Sequence, residues 1–207
     1  PFAMNLANSL LNVILNRGLH EYGGEAAVAV MGIIGAYMSL IFMPTFGITQ
    51  GVQPLMGYNY GARKYARVRH FFWASVGAAT VVMILGWGAS QLFPAQIMRL
   101  FVPAGSELIP LGVRALEIFT LAFPIIGFPI MGGNLFQAIG KPIQSGFIAL
   151  ARQVLLFIPF LILFPKYMGL DGIFYAAPAS DILTFLLVTV LVARQMRILR
   201  KIERENP

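Results

Sequence analysis

Residues 47–70 have the sequence GITQGVQPLMGYNYGARKYARVRH and separate two long apolar runs. The first half combines repeated glycines with Pro54 and the triplet Tyr58-Asn59-Tyr60, and the second half carries a cluster of four cations at positions 63–69. Glycine and proline both disfavour the interior of a helix. The stretch therefore predicts a structured connector between two long apolar spans.

The composition points to a membrane protein. Of the 207 residues, 58% are apolar and 11% are charged, whereas charged residues make up about a quarter of an ordinary soluble domain. The apolar residues come in runs of about 20, the length that crosses roughly 30 Å of hydrocarbon as a helix. We therefore predict an all-α membrane protein. The chain has no cysteine, which excludes disulfides and cysteine-ligated metals.

We predict six transmembrane helices, at approximately residues 1–16, 26–49, 70–93, 110–138, 143–164 and 171–192, followed by a basic tail at residues 194–207. The fourth helix is expected to bend at Pro124 and Pro129, because each proline removes a backbone donor. Residues 1–5 contain neither an initiating methionine nor a basic leader. We therefore expect the chain to be a fragment of a longer protein.

The charges sort by side. Ten of the fifteen cations lie in the cluster at 63–69, at Lys141 and in the tail, all on one side of the predicted topology. The positive-inside rule places the basic loop 61–69 and the C-terminal tail in the cytoplasm, with the protein in the plasma (inner) membrane. Short basic clusters between apolar runs are typical of topology signals, so we expect no nucleic-acid partner despite the net charge of +7.

Two charged residues fall inside late spans. Arg152 lies nine residues after the start of the fifth span at 143, and Asp181 lies ten residues after the start of the sixth at 171. At 1.5 Å per residue both lie roughly 13–15 Å deep, near the middle of the bilayer. A single intramembrane charge is costly, which predicts that the two pair. The pair is either a structural ion pair or part of proton or ligand coupling.

Glu117 lies roughly 10 Å inside the fourth span. Intramembrane carboxylates commonly mark ion pathways, which makes Glu117 a candidate cation or proton site. Arg114 precedes it by three residues on the same helix face, so a local ion pair is the alternative.

The first span carries four asparagines within an arc of about 80° on a helix. They are Asn5, Asn8, Asn12 and Asn16. Four amides facing lipid would be costly, so the stripe must face protein or water. It either lines a cavity or joins helices through hydrogen bonds.

The sequence offers no catalytic or metal-binding constellation. His20 and His70 are the only histidines, and no zinc-protease, nucleophile-elbow or Walker motif occurs. We therefore predict no catalytic residues and no enzyme.

Two stretches, at 53–62 (QPLMGYNYGA) and 134–142 (NLFQAIGKP), are similar to the loops after the eighth and tenth helices of MATE (multidrug and toxic compound extrusion) transporters. Shorter matches at 152–154, 169–172 and 178–181 resemble the bacterial multidrug-efflux branch. The residues that carry the two loop motifs are Gln53, Pro54, Gly57, Tyr58, Asn59, Tyr60, Gly61, Gln137, Gly140, Lys141 and Pro142.

The resemblance implies a twelve-helix, two-lobe antiporter that exports bulky, often cationic organic compounds in exchange for Na⁺ or H⁺. This chain would be its C-terminal lobe. The implied partners are the lipid bilayer, the missing N-terminal six-helix lobe and small organic cations, with no cofactor besides the coupling ion. Some members place an acid on the helix where this chain has only asparagines, and Glu117 would be a stand-in cation ligand.

Other functions stay open at this point. A lipid-linked substrate flippase of the same wider superfamily would need a cationic central cavity, and only Arg152 lies at mid-membrane depth. An intramembrane enzyme or a non-catalytic six-helix membrane subunit is the further alternative.

Overall fold

The computed structural model describes residues 2–205, and the side chains of residues 5–203. Over this range the chain is helical with short breaks and forms no strand. The helices are α1 (residues 2–23), α2 (residues 25–61), α3 (Tyr65–Leu92), α4 (Pro94–Arg99), α5 (Leu108–Phe119), α6 (Phe123–Ala138), α7 (Pro142–Met168) and α8 (Leu170–Glu205). Residue 1 of the predicted first span and residues 206–207 of the predicted tail lie outside the described range.

The break between α1 and α2 is at Gly24, whose φ of 64° and ψ of −160° are non-helical. An unbroken helix would hold Leu11 and Met38 roughly 40 Å apart. Both residues nevertheless line one cavity of about 520 Å³, so the chain folds back at Gly24. Gly24 lies within the polar segment from Arg17 to Glu25, although α1 extends well beyond the predicted end at residue 16.

The prediction that residues 47–70 form a connector was wrong except at residues 62–64, because α2 continues through Pro54 to Gly61 and α3 begins at Tyr65. Inside a membrane, neighbouring helices compensate for helix-breaking residues. Gly57 permits such close packing, since a Cβ there would lie 3.2 Å from the Ala138 carbonyl oxygen of α6. The reversal is confined to residues 62–64, where Arg63 has a φ of 59°.

The bend predicted in the fourth span is present, but it lies before Pro124. The helix axis bends by 52° between α5 and α6, across residues 120–122. Pro124 occupies the first turn of α6, where its missing N–H costs little, and Pro129 lies inside α6 without interrupting it.

Polar contacts place the charged segments at two ends of the bundle. At one end Arg69 pairs with Glu203 at 2.5 Å, and the Lys141 ammonium donates to Gln195 at 2.7 Å. At the other end Arg114 pairs with Asp171, and Arg17, Glu21 and Lys166 line one small pocket. We call the first end the basic end.

Four helical segments in the described range are long and apolar enough to cross a membrane, or five if α5 and α6 form one bent span. One of the four contains the Gly24 break. The prediction of an all-α membrane protein is therefore confirmed.

Candidate functional site

A central cavity of about 520 Å³ lies between α1, α2, α7 and α8, with Phe119 of α5 also at its wall. Its apolar lining comes mainly from Leu11, Leu15, Val28, Met31 and Phe157, and its polar lining from Asn12, Asn16, Arg152, Gln153, Ser180 and Asp181. A largely apolar pocket with a few convergent polar groups is the usual form of a small-molecule site.

The structure brings Arg152 and Asp181 together at this cavity. The Arg152 Nε–H donates to Asp181 Oδ1 at 2.8 Å, joining α7 to α8. The two side chains are unequally shielded, with 7% of Asp181 and 37% of Arg152 exposed. The carboxylate is thus held deep in the protein while the guanidinium reaches open space. Whether the pair is only structural or also couples to a ligand stays a prediction.

Arg152 and Gln153 both lie on a π-helical segment, Ala151–Phe157, within α7. Single π-turns occur frequently at functional sites. Here two consecutive polar residues line the same cavity, although an ideal α-helix would point them about 100° apart. Gln153 and its widened turn were not predicted, because the apolar pattern of a lipid-facing helix does not mark a change of helical pitch.

A second cavity, of about 320 Å³, lies between Arg152 and the basic end. Asn134, Gln137, Ser145 and Thr184 line it, together with Thr49 and Phe46. Arg152 borders both cavities. It therefore lies between the central cavity and this second cavity.

The asparagine stripe divides between the two interpretations left open by the sequence. Asn12 and Asn16 line the central cavity. Asn8 accepts a hydrogen bond from Gln153 Nε2 at 2.5 Å and so joins α1 to α7. Asn5 is exposed and makes no side-chain hydrogen bond among the described residues.

Glu117 lies on α5 and is half-buried, and it does not line the central cavity. The local pair with Arg114 does not form, because Arg114 pairs with Asp171 of α8 instead. Within residues 5–203 the Glu117 carboxylate has no ion-pair partner. Its role as a cation site stays a prediction.

A polar cluster at the α5–α6 bend was also missed. Gln91 Nε2 donates to the Glu117 carbonyl at 2.9 Å and to Thr120 Oγ1 at 3.2 Å, and Ser90 lies 2.8 Å from the same hydroxyl. Breaking a helix leaves carbonyls without their usual donors. Gln91 on α3 supplies one, which explains why a polar residue is needed at this position.

The two loop motifs meet at the basic end. Gly57 packs against Ala138, Lys141 binds Gln195, and Tyr60 and Tyr65 have ring centroids 5.7 Å apart. Gln53, Pro54, Tyr58, Asn59 and Gly61 lie on the last turns of α2, Gln137 ends α6, and Gly140 and Pro142 form the turn into α7. None of them lines the central cavity. The motif residues shape helix ends, and among them Gln137 lines the second cavity.

Fold and site together describe an all-helical membrane protein whose bundle holds a largely apolar cavity with a few polar groups. The MatE family model matches residues 2–163, more than half of the chain. This protein therefore belongs to the MatE family, the MATE transporters, as its sequence motifs suggested. Members of this family are transporters rather than enzymes.

Similarity to individual relatives is distant but extends along the chain. This chain is 25% identical over 180 residues to a FAD transporter of Shewanella oneidensis, and the match covers 87% of this chain and 39% of the relative. This chain is also 22% identical over 191 residues to the multidrug export protein MepA of Staphylococcus aureus, and the match covers 92% of this chain and 42% of MepA. The chain thus spans about two fifths of the length of these curated relatives.

Solved structures show the same fold. The MATE multidrug transporter DinF-BH matches with a TM-score of 0.81 and 36% identity, over 93% of this chain and 43% of that chain. A MOP superfamily transporter from Pyrococcus furiosus matches with a TM-score of 0.88 at 21% identity, over 96% and 45%. The second likeness concerns the fold alone.

Proposed function

We propose that this chain is one six-helix lobe of a two-lobe antiporter that exports bulky, often cationic organic compounds in exchange for Na⁺ or H⁺. The observation that carries the proposal is the central cavity, where amides and a carboxylate face apolar walls. Membership of a transporter family and the likeness to MepA and DinF-BH support it. The proposed location is the plasma membrane.

Six crossings follow if two assignments are made. The fold-back at Gly24 makes α1 and α2 two separate spans, and the 52° bend leaves α5 and α6 a single one. With α3, α7 and α8 this gives an even number, so both ends of the chain lie on one side. Ten cations at the basic end favour the cytoplasm for that side.

The partner lobe is proposed from coverage and from exposed surface. Relatives are more than twice as long as this chain. Only 17% of the most apolar 18-residue segment of α7 is buried. Helix α7 also borders the central cavity. A second lobe facing the cavity would enclose it, and a lone lobe should not transport.

The cavity chemistry suits a cation that carries hydrogen-bond donors. Gln153 Oε1 is buried and has no hydrogen-bond partner among the described residues. Asn12, Asn16 and Asp181 add further acceptors around the same space. Methionine and aliphatic walls would contact the apolar part of an organic cation. Asp181 and Glu117 are the candidate carboxylates for the coupling ion.

Two glycines at the cavity allow a direct test. A Cβ built on Gly32 or Gly35 meets nothing within 4 Å, and both residues line the cavity. In Gly35→Leu the new side chain fills this space without displacing the backbone. In the complete two-lobe protein, uptake of a fluorescent organic cation into everted vesicles, which corresponds to export from the cell, should fall about tenfold, while the amount of membrane-inserted protein stays unchanged.

The matched control is Gly77→Leu on α3, where a Cβ also meets nothing within 4 Å and which lies outside the cavity. It should retain full efflux. Equal efflux by Gly35→Leu and the control would show that the cavity is not the transport site. Imposing Na⁺ and H⁺ gradients separately on the unsubstituted protein identifies the coupling ion.

An anionic substrate is the second candidate. One relative and the partly exposed guanidinium of Arg152 favour it. The Shewanella relative is named a FAD transporter. Among the described residues the Arg152 guanidinium makes one hydrogen bond, from Nε, and 37% of the side chain is exposed. Arg152 lines the cavity, and its remaining N–H groups would bind an anion there. Competition between organic cations and FAD for the same efflux would separate the two candidates.

A further inference from the structure

A narrow groove opens at the basic end, formed by α3, α6 and α8 and separate from both cavities described above. Its volume is about 250 Å³. Its lining consists of two aromatic residues and a stripe of α8, namely Trp73, Phe128, Thr189, Val192, Ala193, Met196, Arg197 and Arg200. Nothing in the transport mechanism uses these residues.

The α8 stripe changes character along its length. Its six residues recur every three or four positions and so share one helix face. From Thr189 to Arg200 the stripe is roughly 16 Å long. Residues 182–193 carry no charge, and the first cation after Asp181 is Arg194. The upper part of the groove therefore lies at hydrocarbon depth and its arginines lie at the level of the lipid headgroups.

The opposite wall is aromatic. Trp73 is 52% exposed and its ring lies 6.1 Å from that of Phe128, which in turn contacts Phe185 at 5.5 Å. Buried Phe72 supports both Trp73 and Phe128 from behind. Tryptophan is enriched where hydrocarbon meets headgroups. This wall is therefore apolar, and its tryptophan suits the boundary between hydrocarbon and headgroups.

The groove carries positive charge that no described acidic side chain neutralises. Arg197 and Arg200 are exposed, and neither forms an ion pair within residues 5–203. The nearby Glu203 pairs with Arg69, and within residues 5–203 no acidic side chain lines the groove. A guanidinium pair of this kind binds phosphate oxygens well.

We propose that this groove binds one anionic phospholipid, with its phosphate on Arg197 and Arg200 and an acyl chain between Trp73, Phe128 and Val192. Two observations favour a lipid over free phosphate: the apolar walls and their position at hydrocarbon depth. Basic pockets between transmembrane helices bind anionic headgroups in this way. The proposal needs only the membrane-protein class and not the transport function.

The test measures thermal unfolding of the protein purified in neutral detergent, with added phosphatidylglycerol or phosphatidylcholine of identical chains. A ligand that binds only the folded state raises the unfolding temperature. We expect phosphatidylglycerol to raise it more than phosphatidylcholine. The double variant Arg197→Gln/Arg200→Gln should bind phosphatidylglycerol about 30-fold more weakly. Trp73→Ala should also reduce the shift, although both arginines remain.

The matched control is Arg63→Gln/Arg67→Gln, which removes two cations from the basic end outside the groove. It should keep the full phosphatidylglycerol shift. Equal loss in both double variants would mean diffuse attraction and would overturn the site. So would equal shifts from the two lipids, or a shift from inorganic phosphate as large as that from phosphatidylglycerol.

Discussion

Arg152 and Asp181 form a pair whose two members differ in burial, and this difference sets the cost of breaking it. Removing the arginine leaves a carboxylate that is 7% exposed without its partner, whereas removing the aspartate leaves a guanidinium that is 37% exposed. Breaking a buried pair by deleting one member costs about 3–5 kcal/mol, but replacing both with apolar residues is often neutral. The order of the variants is therefore predictable.

Arg152→Leu should lower the unfolding temperature and the yield of folded protein most, Asp181→Leu less, and the double variant Arg152→Leu/Asp181→Leu least. Thermal unfolding in detergent and fluorescence-detected size exclusion measure this order. If the double variant were as unstable as Arg152→Leu, the two charges would not be energetically coupled. Efflux by a stable double variant then distinguishes a structural pair from one that takes part in transport.

The sequence located this pair because depth along a helix depends only on residue count. It did not reveal Gln153 as a cavity residue, since that depends on the π-helical turn at Ala151–Phe157. Nor did it separate the asparagines. Asn12 and Asn16 face the cavity while Asn8 binds Gln153, and this division depends on how α1 packs against α7.

At the scale of helices, α2 and α6 end in the same way. Lys64 N–H donates to the Asn59 carbonyl at 2.9 Å, and Lys141 N–H donates to the Phe136 carbonyl at 2.8 Å. Each bond closes a Schellman cap whose preceding residue is left-handed, with a φ of 59° at Arg63 and 74° at Gly140. Glycine adopts this conformation without strain, but arginine does not.

Arg63→Gly should therefore stabilise the protein by about 0.5–1 kcal/mol, the relief of left-handed strain less the extra freedom of glycine when unfolded. The unfolding temperature in detergent measures it. The matched control is Arg194→Gly in the interior of α8, which loses the same charge and should cost about 1 kcal/mol. A destabilised Arg63→Gly would indicate that the arginine side chain, rather than the turn, holds this end together.

The packing at the end of α2 explains why the predicted connector is largely helical. Glycine and proline at 47–61 suggested a connector, yet α2 continues to Gly61 because α6 packs closely enough to hold it. Propensities measured in water underestimate such helices, since a membrane offers no water to the freed backbone groups. The prolines predicted bends at Pro124 and Pro129, but the bend lies at residues 120–122. Gln91 on α3 stabilises it there, and no local pattern indicates that contact.

For the whole molecule, the sequence predicted which charges share an end. Each apolar run long enough to span the membrane places the next connecting segment on the opposite side. The contacts Arg69–Glu203 and Lys141–Gln195 hold that basic end together. The central cavity was not predictable, as it requires α1 and α2 to lie side by side after the Gly24 reversal. Only the tertiary arrangement brings residues 11–16 next to residues 28–38.

The proposed topology can be tested with single cysteines, since the chain has none of its own. Arg63→Cys and Arg200→Cys replace exposed residues at the basic end, and Tyr22→Cys and Tyr167→Cys replace residues that are 41% and 82% exposed at the other end. A membrane-impermeant maleimide should label the first two only in everted vesicles and the last two only in intact cells. Tyr22 is the decisive position, because it reports the reversal at Gly24: six crossings place it outside, between two spans. Labelling of Tyr22→Cys and Arg63→Cys from the same face would remove one crossing and, with it, the match between this chain and a six-helix lobe.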